Sequence, residues 1–193
     1  PYSPAVEQAQ AFADGLGHEI DFHQADVYDA VEVLGEAQYD LVFTGIGAIG
    51  WLPSIERWAA VVAGLLKPRG RLFIREGHPM LWSLGVSKTS GEIVLDAPYF
   101  ETGAPQIWEE GGTYVETEVE FSHNVTHEWN HGLGEIFTAL KKAGLDVTDL
   151  EEHDSAPWEP LRGLMTRDEQ GEWRLTDQPE RLPATYTLQA RRR

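Results

Sequence analysis

The spacing of apolar residues changes several times along the chain, and each change marks a predicted element. Val6, Ala9, Ala13 and Leu16 recur at helical spacing behind Ser3-Pro4. Serine in that position accepts N–H groups left over in the first turn, proline there gives up no hydrogen bond, and Gly17 can end the helix. Residues 20–27 read as a strand ending at Asp26, Ala30–Leu34 as a short helix, and Tyr39–Thr44 as a second strand with Leu41-Val42-Phe43 as its buried run. Beyond a glycine-rich loop at 45–50, Ile55, Trp58, Ala59, Val62, Leu65 and Leu66 share one helical face. Lys67-Pro68-Arg69-Gly70 stops that helix, and Arg71–Arg75 is a strand. The first 76 residues therefore read α-β-α-β-α-β, the order of a parallel sheet covered by helices.

The pattern then switches. Within 114–129, Val115, Thr117, Val119, Phe121, Val125 and Trp129 point one way, and Glu116, Glu118, Glu120 and Glu128 the other. Period two with one charged face predicts a half-solvated, antiparallel strand. Leu133, Ile136, Phe137 and Leu140 mark a helix closed by Gly144, Leu145–Leu150 is a strand, and a Pro/Trp/Gly-rich loop leads to a last strand, Ala184–Ala190. No repeat or low-complexity segment interrupts this order.

Length and charge narrow the function. The 193 residues suit one domain, read as spanning 1–193 with an insertion or lid at about 77–130. That insertion is acidic: from Glu76 to Glu135 there are eleven acidic residues and one basic residue, Lys88. A net charge of −17 repels a phosphate backbone, which argues against nucleic acid as a partner despite the basic end Arg191-Arg192-Arg193. No apolar run reaches the roughly 20 residues of a membrane span. The absence of cysteine removes disulfides, thiolate metal sites and cysteine nucleophiles, and fits a cytoplasmic location.

Several residues carry candidate chemistry. Gly45-Ile46-Gly47-Ala48-Ile49-Gly50 matches the dinucleotide pattern G-x-G-x-x-G and follows a strand, with Glu76 after the next strand in place of a ribose-binding carboxylate. Pro53 delays the following helix by about three residues, however, and the fingerprint belongs to the first βα turn of a chain. A loop lining a ligand crevice at a strand's C-terminal end is the better reading. Asp26 and Thr44 end presumed parallel strands, where open α/β sheets bind ligands; Asp26 as a helix cap is the equal alternative. Glu76 and His78 follow the third strand and could move a proton, although a loop histidine often serves only as a hydrogen-bond partner. His123, His127 and His131 are four apart, but on a strand four residues span roughly 13 Å, too far for a shared metal ion. No metal is expected, and His123 and His127 are predicted to face inward. Seven tryptophans exceed what such a core needs, and Trp51, Trp82 and Trp129 are candidates for a pocket wall.

Three segments together resemble the class I S-adenosylmethionine-dependent methyltransferases of small-molecule type. They are Phe22-His23-Gln24-Ala25-Asp26-Val27, Tyr39-Asp40-Leu41-Val42-Phe43-Thr44-Gly45, and Leu65-Leu66-Lys67-Pro68-Arg69-Gly70-Arg71-Leu72-Phe73-Ile74, the last similar to the family's "LLKPGG-L" turn and strand with Arg69 where glycine is usual. The final strand, Ala184–Ala190, resembles the antiparallel last strand of that fold. The resemblance implies an α/β, Rossmann-like sheet with an antiparallel last strand, its N-terminal strands missing, plus an acidic, mostly-β insertion. The family's first strand, glycine-rich loop and acidic second strand would lie upstream of Pro1, so the resemblance implies a fragment.

It further implies S-adenosylmethionine as cofactor, with Asp26 accepting from the adenine amino group, Val27 beside the ring, and Thr44, Gly45 and Ile46 along the methionine side. The sulfonium is already activated, so alignment and exclusion of water are the main tasks. If a base is needed, Glu76, His78 and His131 are the candidates. The acceptor is expected to be a small molecule, neutral or cationic given the acidic insertion. Two alternatives remain: a nicotinamide-dependent oxidoreductase using the 45–50 loop, and an inactive methyltransferase-like binding module. In the family sheet the absent strands sit between those ending at Asp26 and Thr44. The 193-residue chain alone is therefore expected to bind the cofactor poorly and to self-associate through the edge at Leu41–Phe43.

Overall fold

The computed structural model describes residues 3–109 and 124–193. Helix α1 (Pro4–Gly15) starts as the sequence requires: Ser3 Oγ accepts the Val6 N–H, and Gly17 beyond the last turn takes φ +72°. A short 3-10 turn (Val27–Asp29) leads into α2 (Ala30–Leu34), β1 (Tyr39–Thr44) and α3 (Ile55–Leu65). Ser54 caps α3 by accepting the Arg57 N–H. Strand β2 (Leu66–Gly77) follows without a break, five residues earlier than the pattern predicted. The tight Lys67–Gly70 turn lies inside it, with Arg69 in the left-handed region at φ +67°. Then come α4 (Pro79–Trp82), the pair β3 (Leu84–Val86) and β4 (Ile93–Leu95), and the pair β5 (Gln106–Trp108) and β6 (Thr126–Glu128). Helix α5 (Leu133–Lys142), β7 (Leu145–His153), the hairpin β8 (Met165–Arg167) and β9 (Trp173–Leu175), and β10 (Thr185–Arg192) complete the described elements.

The central sheet runs β1-β2-β10-β7. Strands β1 and β2 are parallel, Thr44 opposite Ile74, and β10 is antiparallel to both of its neighbours. This is a Rossmann-like α/β sheet with an antiparallel last strand. Its core lies on one face, where Trp58, Ala59 and Val62 of α3 and Ile136, Ala139 and Leu140 of α5 meet Leu72, Ile74, Tyr186, Leu188 and Ala190. A second cluster, Leu81, Leu161, Met165, Leu175 and Leu182, fastens α4 to the β8–β9 hairpin.

Five expectations change. The run Leu41-Val42-Phe43 is not buried: Val42 packs partly against the core, while Leu41 and Phe43 are exposed, because β1 ends the described sheet and α3 and α5 cover only its other face. Residues 20–27 form no strand; Asp26 is extended, but the segment has no ladder partner, and a lone strand cannot offset its ordering cost. The α1 face is also largely open, with only Ala13 of its apolar residues buried. The loop before the last strand contains the β8–β9 hairpin. Most of the predicted 114–129 strand, including His123, lies outside the described residues. In its described end the faces are reversed: Val125 and His127 are exposed while Thr126 and Glu128 turn inward, because β6 pairs Thr126 with Trp108 and Glu128 with Gln106.

Candidate functional site

A cavity of about 320 Å³ opens at the C-terminal ends of β1 and β2. Its floor is the loop after β1 and the last residues of β2, and its walls are Trp51, Trp82, Trp108 and Trp129, with Gln106, Glu128, Asn130, His131 and Tyr186. The wall residues come from several elements. Trp51 ends the 3-10 turn Ile49–Trp51, and Trp129 is pinned to the loop by its N–H, which donates to Gly50 O at 2.8 Å. Trp82 ends α4 and stacks on Trp158 with ring centres 5.7 Å apart. A side chain at Gly77 would put its Cβ 2.7 Å from the Trp82 ring, so this glycine makes room for the indole. The buried Asn130 amide lies 2.9 Å from Pro79 O and 3.0 Å from Pro98 O, tying α4 to the segment beyond β4.

Glu76 organises the floor. Its carboxylate accepts N–H groups from Gly47 (2.6 Å), Ala48 (3.1 Å), Ile49 (3.4 Å) and Gly77 (2.7 Å). Burial pushes its pKa up, opposed by those four donors. The amides that a pyrophosphate would need in the 45–50 loop therefore already hold an anion from the same chain, which removes the observation favouring a nicotinamide site. Nor is Glu76 a free base; its oxygens position the loop.

The two histidines are equally engaged. His78 caps α4: Nδ1 accepts the Met80 N–H at 3.0 Å, which places the ring proton on Nε2, facing Glu152 at 2.9 Å. Burial lowers its pKa, against the raising effect of Glu152. His78 is absent from the cavity lining, and both of its ring nitrogens have partners, one at the start of α4 and one on Glu152. His131 is buried, with Nε2 on Leu52 O at 2.8 Å and Nδ1 on Glu101 at 2.9 Å. Glu101, His131 and Glu135 bring one ligand atom each within 4.8 Å of one another, but Glu135 is also spent on the Gly132 N–H at the start of α5. His127, exposed on β6, shares no face with His131.

Tyr186 is the exception to this full pairing. Register places it opposite Glu76, its side chain is fully buried, and its hydroxyl has no hydrogen-bond partner among the described residues. Burial, with Glu76 nearby, raises its pKa, so the phenol stays neutral. A buried hydroxyl without a partner costs about 1–3 kcal/mol unless a ligand meets it.

Solved structures share this fold. A Mesorhizobium loti S-adenosylmethionine-dependent methyltransferase superposes with TM-score 0.61 at 18% identity, over 96% of this chain and 76% of that one. A Clostridium acetobutylicum methyltransferase of the same dependence gives 0.60 at 11%, over 98% and 72%. A Listeria monocytogenes protein proposed to be one gives 0.63 at 14%, over 97% and 77%. The chain has the class I methyltransferase fold. At these identities the likeness speaks to fold alone. No family sequence model and no curated protein sequence matches the chain.

On the methyltransferase sheet, the candidate cofactor residues fall in two places. Thr44 is buried at the end of β1, with Gly45 and Ile46 half-buried after it. Asp26 and Val27 are exposed at the 3-10 turn, which docks on the start of α3 through Tyr28: its hydroxyl lies 2.8 Å from Ser54 N and 3.2 Å from Ser54 O. Asp26 Oδ1 accepts the Tyr28 N–H at 2.9 Å, so it does cap this turn. The candidates Trp51, Trp82, Trp129, Glu76 and His131 meet at one cavity; Trp108, Gln106, Glu128 and Tyr186 join them without having been singled out. Trp108 and Glu128 depend on the β5–β6 pairing, and Tyr186 reads in the sequence as an ordinary core position of the last strand, so no local signal marked them.

Proposed function

We propose that the protein transfers a methyl group from S-adenosylmethionine to a small-molecule acceptor held in the cavity at the ends of β1 and β2. The observation that carries this reading is the unpartnered Tyr186 hydroxyl, buried against that cavity on a sheet of methyltransferase topology. The residues present fit the cofactor's two ends. An exposed carboxylate beside an apolar side chain, Asp26 and Val27, suits an amino group on a flat ring. Thr44, Gly45 and Ile46 suit the amino-acid end, where the loop stays open because Glu76 draws its later amides away.

When bound, the cofactor supplies an already activated methyl group, so no protein nucleophile is required. What remains for the chain is positioning. The tryptophan walls exclude water and fix the acceptor's plane, Tyr186 can meet a polar group on it, and the Glu76-held loop sets the floor height. His78 and His131, with both ring nitrogens engaged, contribute rigidity to this frame.

Titration calorimetry on protein expressed from its own gene tests the reading. S-adenosylmethionine is expected to bind, and Asp26→Ala to weaken binding by about 1–3 kcal/mol, the scale of a lost hydrogen bond to a charged group. A folded protein that gives no binding heat would overturn it.

A further inference from the structure

The chemistry of the cavity wall goes further than the presence of a pocket. Four indoles, Trp51, Trp82, Trp108 and Trp129, face one cavity of about 320 Å³. Indole carries the most strongly attracting π-face for a cation, and several such faces around one space form the kind of cage that recognises organic ammonium groups. Among the described lining residues the acidic side chains are Glu76 and Glu128, and no lysine or arginine is present.

The two carboxylates differ in what they can offer a ligand. Four backbone N–H groups already balance Glu76. Glu128 is half-buried, and its described partner is the Thr126 hydroxyl at 3.3 Å, a neutral donor. Its charge therefore remains to be matched from the cavity side, where partial burial weakens screening by solvent. A carboxylate or phosphate on the acceptor would meet two like charges and no cation. Tyr186, a neutral phenol whose hydroxyl has no partner among the described residues, also lines this space.

We propose that the cavity binds a small organic amine, cationic at neutral pH, whose ammonium sits among Trp51, Trp108 and Trp129 against Glu128 and whose hydroxyl or carbonyl group lies beside Tyr186. This deepens the methyl-transfer reading by naming the charge class of its substrate, but the cage itself does not need that reading.

Choline and its uncharged carbon isostere 3,3-dimethyl-1-butanol are the probes, because they differ in charge and hardly in shape. Calorimetry without cofactor should show choline binding about tenfold tighter than the isostere, the range of a desolvated cation–π contact. Glu128→Gln should lower that preference while leaving isostere binding unchanged, and Trp108→Phe should weaken choline less than Trp108→Ala does. Equal binding of the two probes, binding of neither, or a Glu128→Gln variant that keeps the full preference would each overturn the proposal. A parallel titration with S-adenosylmethionine separates the two readings: choline bound without cofactor affinity leaves the cage standing and removes the methyl transfer.

Discussion

Glu76 and His78 stand two residues apart at the end of β2: Glu76 spends its carboxylate on backbone N–H groups of the loop after β1 and of Gly77, and His78 divides its ring between the start of α4 and the Glu152 side chain. His78 makes a pH prediction. Burial, only partly offset by Glu152, lowers its pKa from the ordinary value of 6.5. Between the lowered value and 6.5 the unfolded chain binds a proton that the folded chain refuses, so stability rises with pH through that window and is lost as the pH falls below 6.5. Urea unfolding at about pH 7.5 and about pH 5.5 should show this loss. His78→Asn, which keeps a capping side chain but does not titrate there, should show a smaller one. Identical pH slopes in the two proteins would assign the dependence to other groups.

At the scale of elements, the site depends on a coupling between neighbours in the sheet. Strand β1 delivers the 45–50 loop, and β2 holds it through one carboxylate whose partners lie 27 to 29 residues earlier. Replacing that carboxylate with an amide, Glu76→Gln, turns one acceptor into a donor facing N–H groups. The variant should lose about 1–3 kcal/mol of stability in urea, the cost of leaving buried donors unsatisfied. An unchanged unfolding midpoint would mean that the loop keeps its shape without Glu76. The segment from β3 to β6 is tied down in a similar way. The pairs β3–β4 and β5–β6 are too short to stand alone, and the Trp129 N–H to Gly50 O bond and the Asn130 amide attach them to the sheet and α4.

For the molecule as a whole, the notable feature is the apolar edge of the sheet at β1. Among the described residues β1 pairs with β2 alone, and its outer side carries Leu41 and Phe43, which are 48% and 64% exposed. Phe43 stacks on Phe73 at 6.0 Å, so an apolar patch continues onto the sheet face away from α3 and α5. An exposed, apolar strand edge pairs readily with another chain. The 193-residue chain should therefore elute above its monomer size in size-exclusion chromatography, and Leu41→Lys with Phe43→Lys should return it to the monomer position. A wild-type monomer at the highest soluble concentration would show that the edge is protected in another way. No helix among the described residues is long and apolar enough to cross a membrane.

Local information determined much of this. The cap at Ser3, the helix-ending glycines 17 and 144, and the apolar faces of α3 and α5 read directly from the sequence, because caps and periodicity involve residues within one or two turns. The apolar runs of β1 and β10 and the order of the elements likewise foretold the sheet. Tertiary structure alone decided the rest. Residues 20–27 carry a strand pattern but find no partner, and pairing is not a local property. His78 meets Glu152 across 74 residues, His131 meets Leu52 across 79, and Tyr186 reaches the cavity only because β10 returns antiparallel beside β2. A sequence shows which side chains can donate or accept; whether each does is settled by the chain's long-range path, and that path occupied the candidate bases while leaving a tyrosine free.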